Sequence, residues 1–129
     1  MLIPTELLTG VAEMDGQHEH LFLEMQKVKN ALLLVADDHG EGLRLLSALA
    51  RELETHFVWE QLEAARYGIP FENHAKEHAR IGAFVRAKIR EIEGGDCNIP
   101  ALMVFMERQF ESHVVHHDLK FGLALRAAV

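Results

Sequence analysis

Four segments of the chain repeat apolar residues at intervals of three and four, the spacing that lines one face of an α-helix. They cover roughly residues 15–36, 41–66, 71–92 and the chain from about residue 99. Strand signals are weak throughout. Amphipathic helices joined by short loops bury their apolar faces against one another. The periodicity therefore predicts an all-α protein, an antiparallel up-down-up-down four-helix bundle.

The breaks between these segments are rich in turn-forming residues. They are DDHGEG (37–42), YGIP (67–70) and EGGDCNIP (93–100). Pro70 cannot continue the helix before it, and either Asp96 or Asn98 can cap the helix that follows the last break. A chain of 129 residues suits one compact domain, so we predict a single domain over residues 1–129.

Composition narrows the possible partners and compartments. Apolar residues make up 49% of the chain, and the net charge of -7 disfavours nucleic acid and anionic membranes as partners. Neither a secretory leader nor an apolar run of the ~20 residues that span a bilayer is visible. The lone Cys97 cannot form an internal disulfide, which favours a reducing compartment. We expect a cytoplasmic monomer.

Each predicted helix also places histidine on its apolar face. Continued by three and four, the stripes reach His18, then His56 with Glu60, then His74 with His78, and finally His113. Buried imidazoles need partners, and several rings facing one core satisfy each other poorly. A metal ion removes this difficulty because it takes the nitrogen lone pairs directly.

The predicted topology brings these residues to one end of the bundle. His18 and His74 lie near the starts of their helices, whereas Glu60 and His113 lie near the ends of theirs. Since neighbouring helices run in opposite directions, all of these positions reach the same depth. One histidine on an apolar face is more often a hydrogen-bonded core residue than a ligand, but convergence from four helices reverses that expectation.

The fourth helix carries a second candidate ligand out of phase with the first. Five residues turn an ideal α-helix by about 500°, so His113 and Asp118 would point about 140° apart. For both to reach the core, the helix must break or contain a wide turn, which favours a functional site. His117, four residues after His113, is the alternative ligand. Asp118 is preferred because a carboxylate bridges two metal ions more easily than an imidazole does.

The predicted ligand set is too large for one tetrahedral zinc ion. It comprises His18, His56, Glu60, His74, His78, His113 and Asp118. Five imidazoles and two carboxylates suit two metal ions linked by the carboxylates, and this donor chemistry fits iron, zinc, copper or nickel.

Four motifs carry a resemblance to a known family. DGQHEHLF (15–22), HFVWE (56–60), HAKEH (74–78) and HVVHHD (113–118) resemble the signatures of the hemerythrin family, in order, over nearly the whole chain. Single-domain bacteriohemerythrins look most similar. The resemblance implies a four-helix bundle that binds dioxygen reversibly at two non-haem iron ions, joined by an oxo or hydroxo group, for oxygen transport, storage or delivery.

The resemblance also assigns roles by position. It implies that Glu60 and Asp118 bridge the irons, that one iron takes three histidines, and that the other takes two and keeps an open position for dioxygen. The three are His74, His78 and His113, and the two are His18 and His56. No catalytic residue is assigned, and a reductase or an oxygen-consuming enzyme as partner stays unidentified.

Departures from the family pattern keep other functions open. Gln109 stands where the family often has an aromatic residue, and Gln61 stands where it often has an acid. If Gln109 faces the pocket, its side chain can bind water and speed oxidation of the site. The alternatives are an oxygen or redox sensor, a di-iron enzyme acting as peroxidase, ferroxidase or nitric-oxide-handling protein, and a metal-storage bundle. The roles of His116 and His117 stay open.

Overall fold

The computed structural model describes residues 3–34 and 39–129, and in these ranges every regular element is helical. The elements are a 3-10 turn at Thr5–Leu7, α1 at Ala12–Leu34, α2 at Gly40–Tyr67, α3 at Glu72–Glu93, α4 at Ile99–His113, a π-helical turn at Val114–Asp118 and α5 at Leu119–Ala128. The prediction of an all-α protein is confirmed. The predicted end of the first helix, with Val35 and the start of the DDHGEG break, lies outside the described residues.

The helix α1 begins earlier than the apolar periodicity predicted. The cause is a cap in the preceding segment, where the Asp15 carboxylate accepts hydrogen bonds from the backbone N–H and the hydroxyl of Thr9, at 2.8 and 2.7 Å. The Thr9 hydroxyl oxygen in turn accepts from the backbone N–H of Val11 at 3.1 Å. This reciprocal arrangement satisfies backbone donors at the helix start, as capping motifs do.

The other predicted boundaries lie within a residue or two of those observed. Gly68 ends α2 in the left-handed conformation, with φ of 66°, and its N–H bonds back to the last turn. At the start of α4 the side chain of Asn98 accepts a hydrogen bond from the N–H of Ala101 at 3.1 Å. Of the two caps considered for this helix, Asn98 is therefore the one used.

The apolar stripes form two separate clusters. The larger one contains buried residues of α1 to α4, among them Leu21, Leu49, Ile81 and Met106. The smaller one contains Met14, Ala64, Phe121 and Leu125. Along each helix, the polar residues singled out above fall between members of the larger cluster and members of the smaller one. The polar cluster is thus enclosed by apolar packing on both sides.

A π-helical turn at Val114–Asp118 joins α4 to α5 without a break in helical structure. The wide turn predicted from the five-residue spacing of His113 and Asp118 is confirmed. It takes up one extra residue, so the apolar stripe continues in α5 as Phe121 and Leu125, both buried. Val114 is buried in the turn and packs against Ile3 and Leu7 of the N-terminal segment.

Among the described residues, no helix combines the length and apolar character needed to cross a bilayer.

Candidate metal centre

The structure brings all of the predicted ligand residues together in one buried cluster. It consists of His18, His56, Glu60, His74, His78, His113 and Asp118. Glu60 and Asp118 are completely buried, at 0% exposure, and none of the histidines exceeds 8%. Burial of this many ionisable groups is costly unless each finds a partner.

The cluster divides into two overlapping groups of potential ligand atoms. We call the first group the three-histidine side; it consists of Glu60, His74, His78, His113 and Asp118. The second group is the two-histidine side, which consists of His18, His56, Glu60 and Asp118. Within each group, one ligand atom from every residue lies within 4.8 Å of all the others. The two carboxylates belong to both groups, so the cluster could hold metal ions that share them.

Asp118 presents a different oxygen to each side. Its Oδ1 lies 2.9 Å from Nε2 of His74 and 3.1 Å from Nε2 of His113. Its Oδ2 lies 2.9 Å from Nε2 of His18. A carboxylate with one oxygen directed to each of two neighbouring sites has the geometry of a bridging ligand.

Glu60 reaches both sides through one oxygen. Its Oε1 lies 3.1 Å from Nε2 of His78 and 3.7 Å from Nε2 of His74 on one side, and 3.3 Å from Nε2 of His56 on the other. The two carboxylates therefore stand between the histidines of α1 and α2 and those of α3 and α4.

The donor atoms of the cluster lack hydrogen-bond partners within the described part of the chain. They include both oxygens of each carboxylate and Nε2 of His18, His74, His78 and His113. Their short separations do not have hydrogen-bond directions, although buried polar atoms in proteins nearly always find a partner. Imidazole nitrogens and carboxylate oxygens are ligands for transition metals. The orphaned atoms thus fit coordination of a metal ion.

Burial drives two of the imidazoles towards their neutral form. Burial and, to a smaller extent, the neighbouring histidines together lower the pKa of His56 to about 3 and the pKa of His78 to about 2. Neutral imidazole is the form that binds a metal ion. Without a metal, therefore, these two rings are already in the ligand state at neutral pH.

The two carboxylates shift in opposite directions. Burial, followed by the neighbouring charge of Asp118, raises the pKa of Glu60. Burial also favours a raised pKa for Asp118, but contacts with His113, His18 and His74 outweigh it and hold that pKa well below its usual range. The metal-free cluster therefore favours a proton on Glu60 over one on Asp118, and a metal ion bound by Glu60 would compete with that proton.

Aromatic rings enclose the three-histidine side. The Phe57 ring stacks on His78 with centroids 3.7 Å apart and an interplanar angle of 11°. The Phe71 ring stacks on His74 at 4.5 Å and 22°. Phe121 contacts both Phe71 and His74 edge-on. These rings hold the imidazole planes and exclude water from this side.

An apolar cavity of about 80 Å³ adjoins the two-histidine side. Both histidines of that side, His18 and His56, line it, together with the shared Asp118 and His113 of the three-histidine side. It extends along the bundle core past Leu53 and Leu49 of α2. Among the described lining residues, Gln109 is the one polar side chain outside the ligand cluster. The cavity has room for several molecules of the size of water. Its lining is apolar apart from the ligand residues and Gln109, which suits small apolar molecules.

The remaining histidines lie outside the cluster. His117 is half-buried and stacks over His113 with centroids 5.3 Å apart, close to Glu77, which pairs with Arg80. Asp118, and not the alternative His117, is therefore the residue that enters the cluster. His116 is exposed. His20 is exposed and pairs with Glu52, with its Nε2 2.7 Å from the carboxylate oxygen Oε2.

Sequence reasoning missed Gln17 and did not foresee what the phenylalanines do. Oε1 of Gln17 lies 2.6 Å from Nδ1 of His56, on the side of the ring opposite the cluster. The one sequence signal for this contact was the position of Gln17 directly before His18. Phe57 and Phe71 both fit the apolar spacing of their helices. That spacing does not distinguish a ring that stacks on a ligand from one that fills the core.

Comparison of the chain with protein-family models, with curated proteins and with solved structures found no match. Function must therefore be argued from the site itself.

Proposed function

We propose that this protein binds dioxygen reversibly at a non-haem di-iron centre and acts as an oxygen carrier, store or delivery protein of the hemerythrin type. The observation that carries the proposal is the asymmetry of the cluster. Two carboxylates are shared by a group with three histidines and a group with two. An apolar cavity is lined by both histidines of the smaller group and by one histidine, His113, of the larger group.

The proposal includes an antiparallel up-down-up-down order of the helices. His18 lies in the early part of α1 and Glu60 in the later part of α2, yet both belong to the two-histidine side. His78 lies in the early part of α3 and His113 at the end of α4, and both belong to the three-histidine side. Helices that alternate in direction bring these positions to one depth.

The number of donors supports two metal ions instead of one. The three-histidine side offers five ligand residues and the two-histidine side four, counting the shared carboxylates in both. With one atom from each residue, both sides supply fewer donors than the six of an octahedral ion, and the two-histidine side supplies one fewer than the three-histidine side. A metal ion held there would keep more positions open, and both of its histidines line the cavity. Such an arrangement suits binding of a small exogenous molecule.

The chemistry of the donors and the cavity supports dioxygen as that molecule. Imidazoles are neutral, so the centre carries less negative charge than a carboxylate-rich one, which disfavours high oxidation states and favours reversible binding. A pair of ferrous ions, when bound, supplies the electrons with which dioxygen is held. The chain contributes a dry lining, dominated by Leu21, Leu53 and Phe110 near the histidines, that excludes water and polar substrates.

Anaerobic iron loading tests this proposal. We expect two irons per chain and, on exposure to oxygen, a visible charge-transfer band that disappears when oxygen is removed. The test variant is His74→Ala, which removes a potential ligand of the three-histidine side. We expect this variant to have a lower iron content and no charge-transfer band. Retention of both iron content and the band in this variant would contradict the assigned site.

A di-iron enzyme is the second candidate, because Gln109 lines the cavity. The amide of Gln109 can hold a water molecule beside the cluster and donate a hydrogen bond to a polar oxygen species in the cavity. Rapid turnover with peroxide and a reductant, lost in Gln109→Leu, would favour this candidate. Slow oxidation without turnover would favour the oxygen carrier.

A further inference from the structure

Gln17 makes the shortest directed contact to any histidine of the cluster. Its side-chain oxygen lies 2.6 Å from Nδ1 of His56, whereas Nδ1 of His18 and of His113 has no hydrogen-bond partner within the described residues. The contact also joins α1 to α2. It therefore distinguishes His56 from the other histidine on its own side of the cluster.

Glu13 fixes the orientation of the Gln17 amide. The amide nitrogen of Gln17 donates a hydrogen bond to the Glu13 carboxylate at 3.0 Å. If the amide were turned over, its oxygen would face that carboxylate and its NH₂ group would face His56. A carboxylate can only accept, so the turned arrangement places two acceptors together. The oxygen of Gln17 consequently faces His56.

This orientation determines the tautomer of His56. An amide oxygen only accepts, so the imidazole must carry its proton on Nδ1 and donate it to Gln17. Nε2 is then left with its lone pair, and this atom faces the cluster, 3.3 Å from Oε1 of Glu60. A ligand imidazole whose other nitrogen donates a hydrogen bond is oriented and made a stronger donor.

We propose that Gln17 is a positioning residue for the metal of the two-histidine side, acting through His56. The inference rests on the proposed function in so far as that side holds a metal ion. Gln17 holds the tautomer and ring plane of His56, and Glu13 holds Gln17. The three-histidine side gains orientation from ring stacking instead, so the effect of Gln17 is confined to one of two metal ions.

The surroundings of His56 explain why this histidine needs a fixed partner. His56 and Leu21 line both the inner cavity and an outer groove between α1 and α2, and Gln17 lines that groove. The imidazole therefore has space on two sides. Without the hydrogen bond to Gln17, the ring can turn out of the position in which Nε2 faces Glu60.

Stepwise metal binding tests the proposal without oxygen. Cobalt(II) titration of metal-free protein, followed by its absorption bands, separates the two binding steps. We expect Gln17→Leu to weaken one step by about 10- to 100-fold and leave the other within about twofold. Gln17→Glu, which restores an acceptor, should return that step to at least the wild-type affinity. The control is Gln26→Leu, the same substitution further along α1.

Nitrogen NMR of the metal-free protein provides a second readout that a general packing defect would not produce. The His56 ring should show the Nδ1–H tautomer in the wild type and in Gln26→Leu, and a mixture of tautomers in Gln17→Leu. Wild-type affinity at both steps in Gln17→Leu, or equal weakening of both steps, would overturn the inference. If the wild type bound no metal, the proposed function would fail, while the tautomer measurement would still test the contact.

Discussion

The two sides of the cluster are built from the same kinds of ligand residue, but their imidazole rings are held in different ways. On the three-histidine side, Phe57 and Phe71 stack on His78 and His74, so packing against apolar rings orients the imidazoles. On the two-histidine side an apolar cavity adjoins the ligands, and His56 is oriented by a hydrogen bond from its Nδ1 to Gln17. Close packing against phenylalanine is enough to orient an imidazole. Where space is left for a small molecule, a hydrogen bond to the imidazole orients it instead.

The largest effect is expected from a substitution of Asp118, the residue that directs an oxygen to each side of the cluster. Asp118 directs one oxygen to each side, so Asp118→Ala should abolish tight binding at both metal steps. Metal content after gel filtration, measured by elemental analysis, checks this. Glu111→Ala, which removes an exposed carboxylate of α4, is the control and should retain two metal ions. Two metal ions in Asp118→Ala would contradict the bridging role.

Acid should destabilise the metal-free protein through one histidine on each side. The pKa of His56 is lowered to about 3 and that of His78 to about 2 in the folded state. Below the unfolded-state pKa of about 6.5, the unfolded chain therefore binds protons at these two histidines that the folded protein does not bind. Stability therefore falls as pH falls, by up to roughly 1.4 kcal/mol per pH unit for each histidine. Glu60, whose pKa is raised, acts in the opposite sense above about pH 4.5. The loss should consequently be steepest below that pH.

Urea unfolding of metal-free protein between pH 7 and 3 measures this loss. His56→Gln and His78→Gln should each reduce the pH dependence of the free energy of unfolding by the contribution of one histidine. His116→Gln, which changes an exposed imidazole, is the control and should leave the slope unchanged. A slope unaffected by both cluster variants would show that other groups control the acid sensitivity.

Loss of a stacked ring should affect the three-histidine side in particular. Phe71 stacks on His74 and contacts His78 and Phe121, so Phe71→Ala should lower the free energy of unfolding by about 3 kcal/mol. It should also speed metal loss from that side. Phe105→Ala is the control because its ring is largely exposed and contacts Phe84 away from the cluster. Equal destabilisation by the two variants would contradict a special role for the stacked ring.

The smallest effect concerns the cavity on the two-histidine side. Ala50 lines it, so Ala50→Leu should fill part of its volume and weaken xenon binding to the metal-free protein several-fold, with metal content unchanged. Xenon NMR measures this directly, because dry apolar cavities bind the gas. The matched control is Ala83→Leu, at an exposed position of α3. Equal xenon affinity in both variants would mean that the cavity is not open to gas.

The sequence sufficed for the cluster because ligand position depends on helix phase and on depth along the bundle. Helix phase is readable from apolar spacing, and the predicted alternation of helix directions implies a common depth for His18 and Glu60. The same reasoning required the wide turn before Asp118. These inferences need no knowledge of how far one helix is rotated against another.

Features that depend on that rotation escaped prediction. Whether Gln17 meets His56, and whether Phe71 stacks on His74, is decided by the relative positions of neighbouring helices to within about an ångström. The cavity likewise depends on how the helices pack, and no single residue in the sequence predicts it. The start of α1 was misplaced for another reason: Thr9 and Asp15 cap it from a segment without apolar periodicity.

The π-helical turn at Val114–Asp118 makes this stretch tolerant of substitution and intolerant of a change in length. Val115 and His116 are exposed within it, so many residue types can replace them in related chains. Deletion of either would restore an ordinary α-helix and shift Asp118 along the axis by about 1.5 Å relative to His113. Metal–ligand distances vary by only about 0.2 Å. In a set of diverging sequences, the number of residues between His113 and Asp118 would therefore be retained long after their identities had changed.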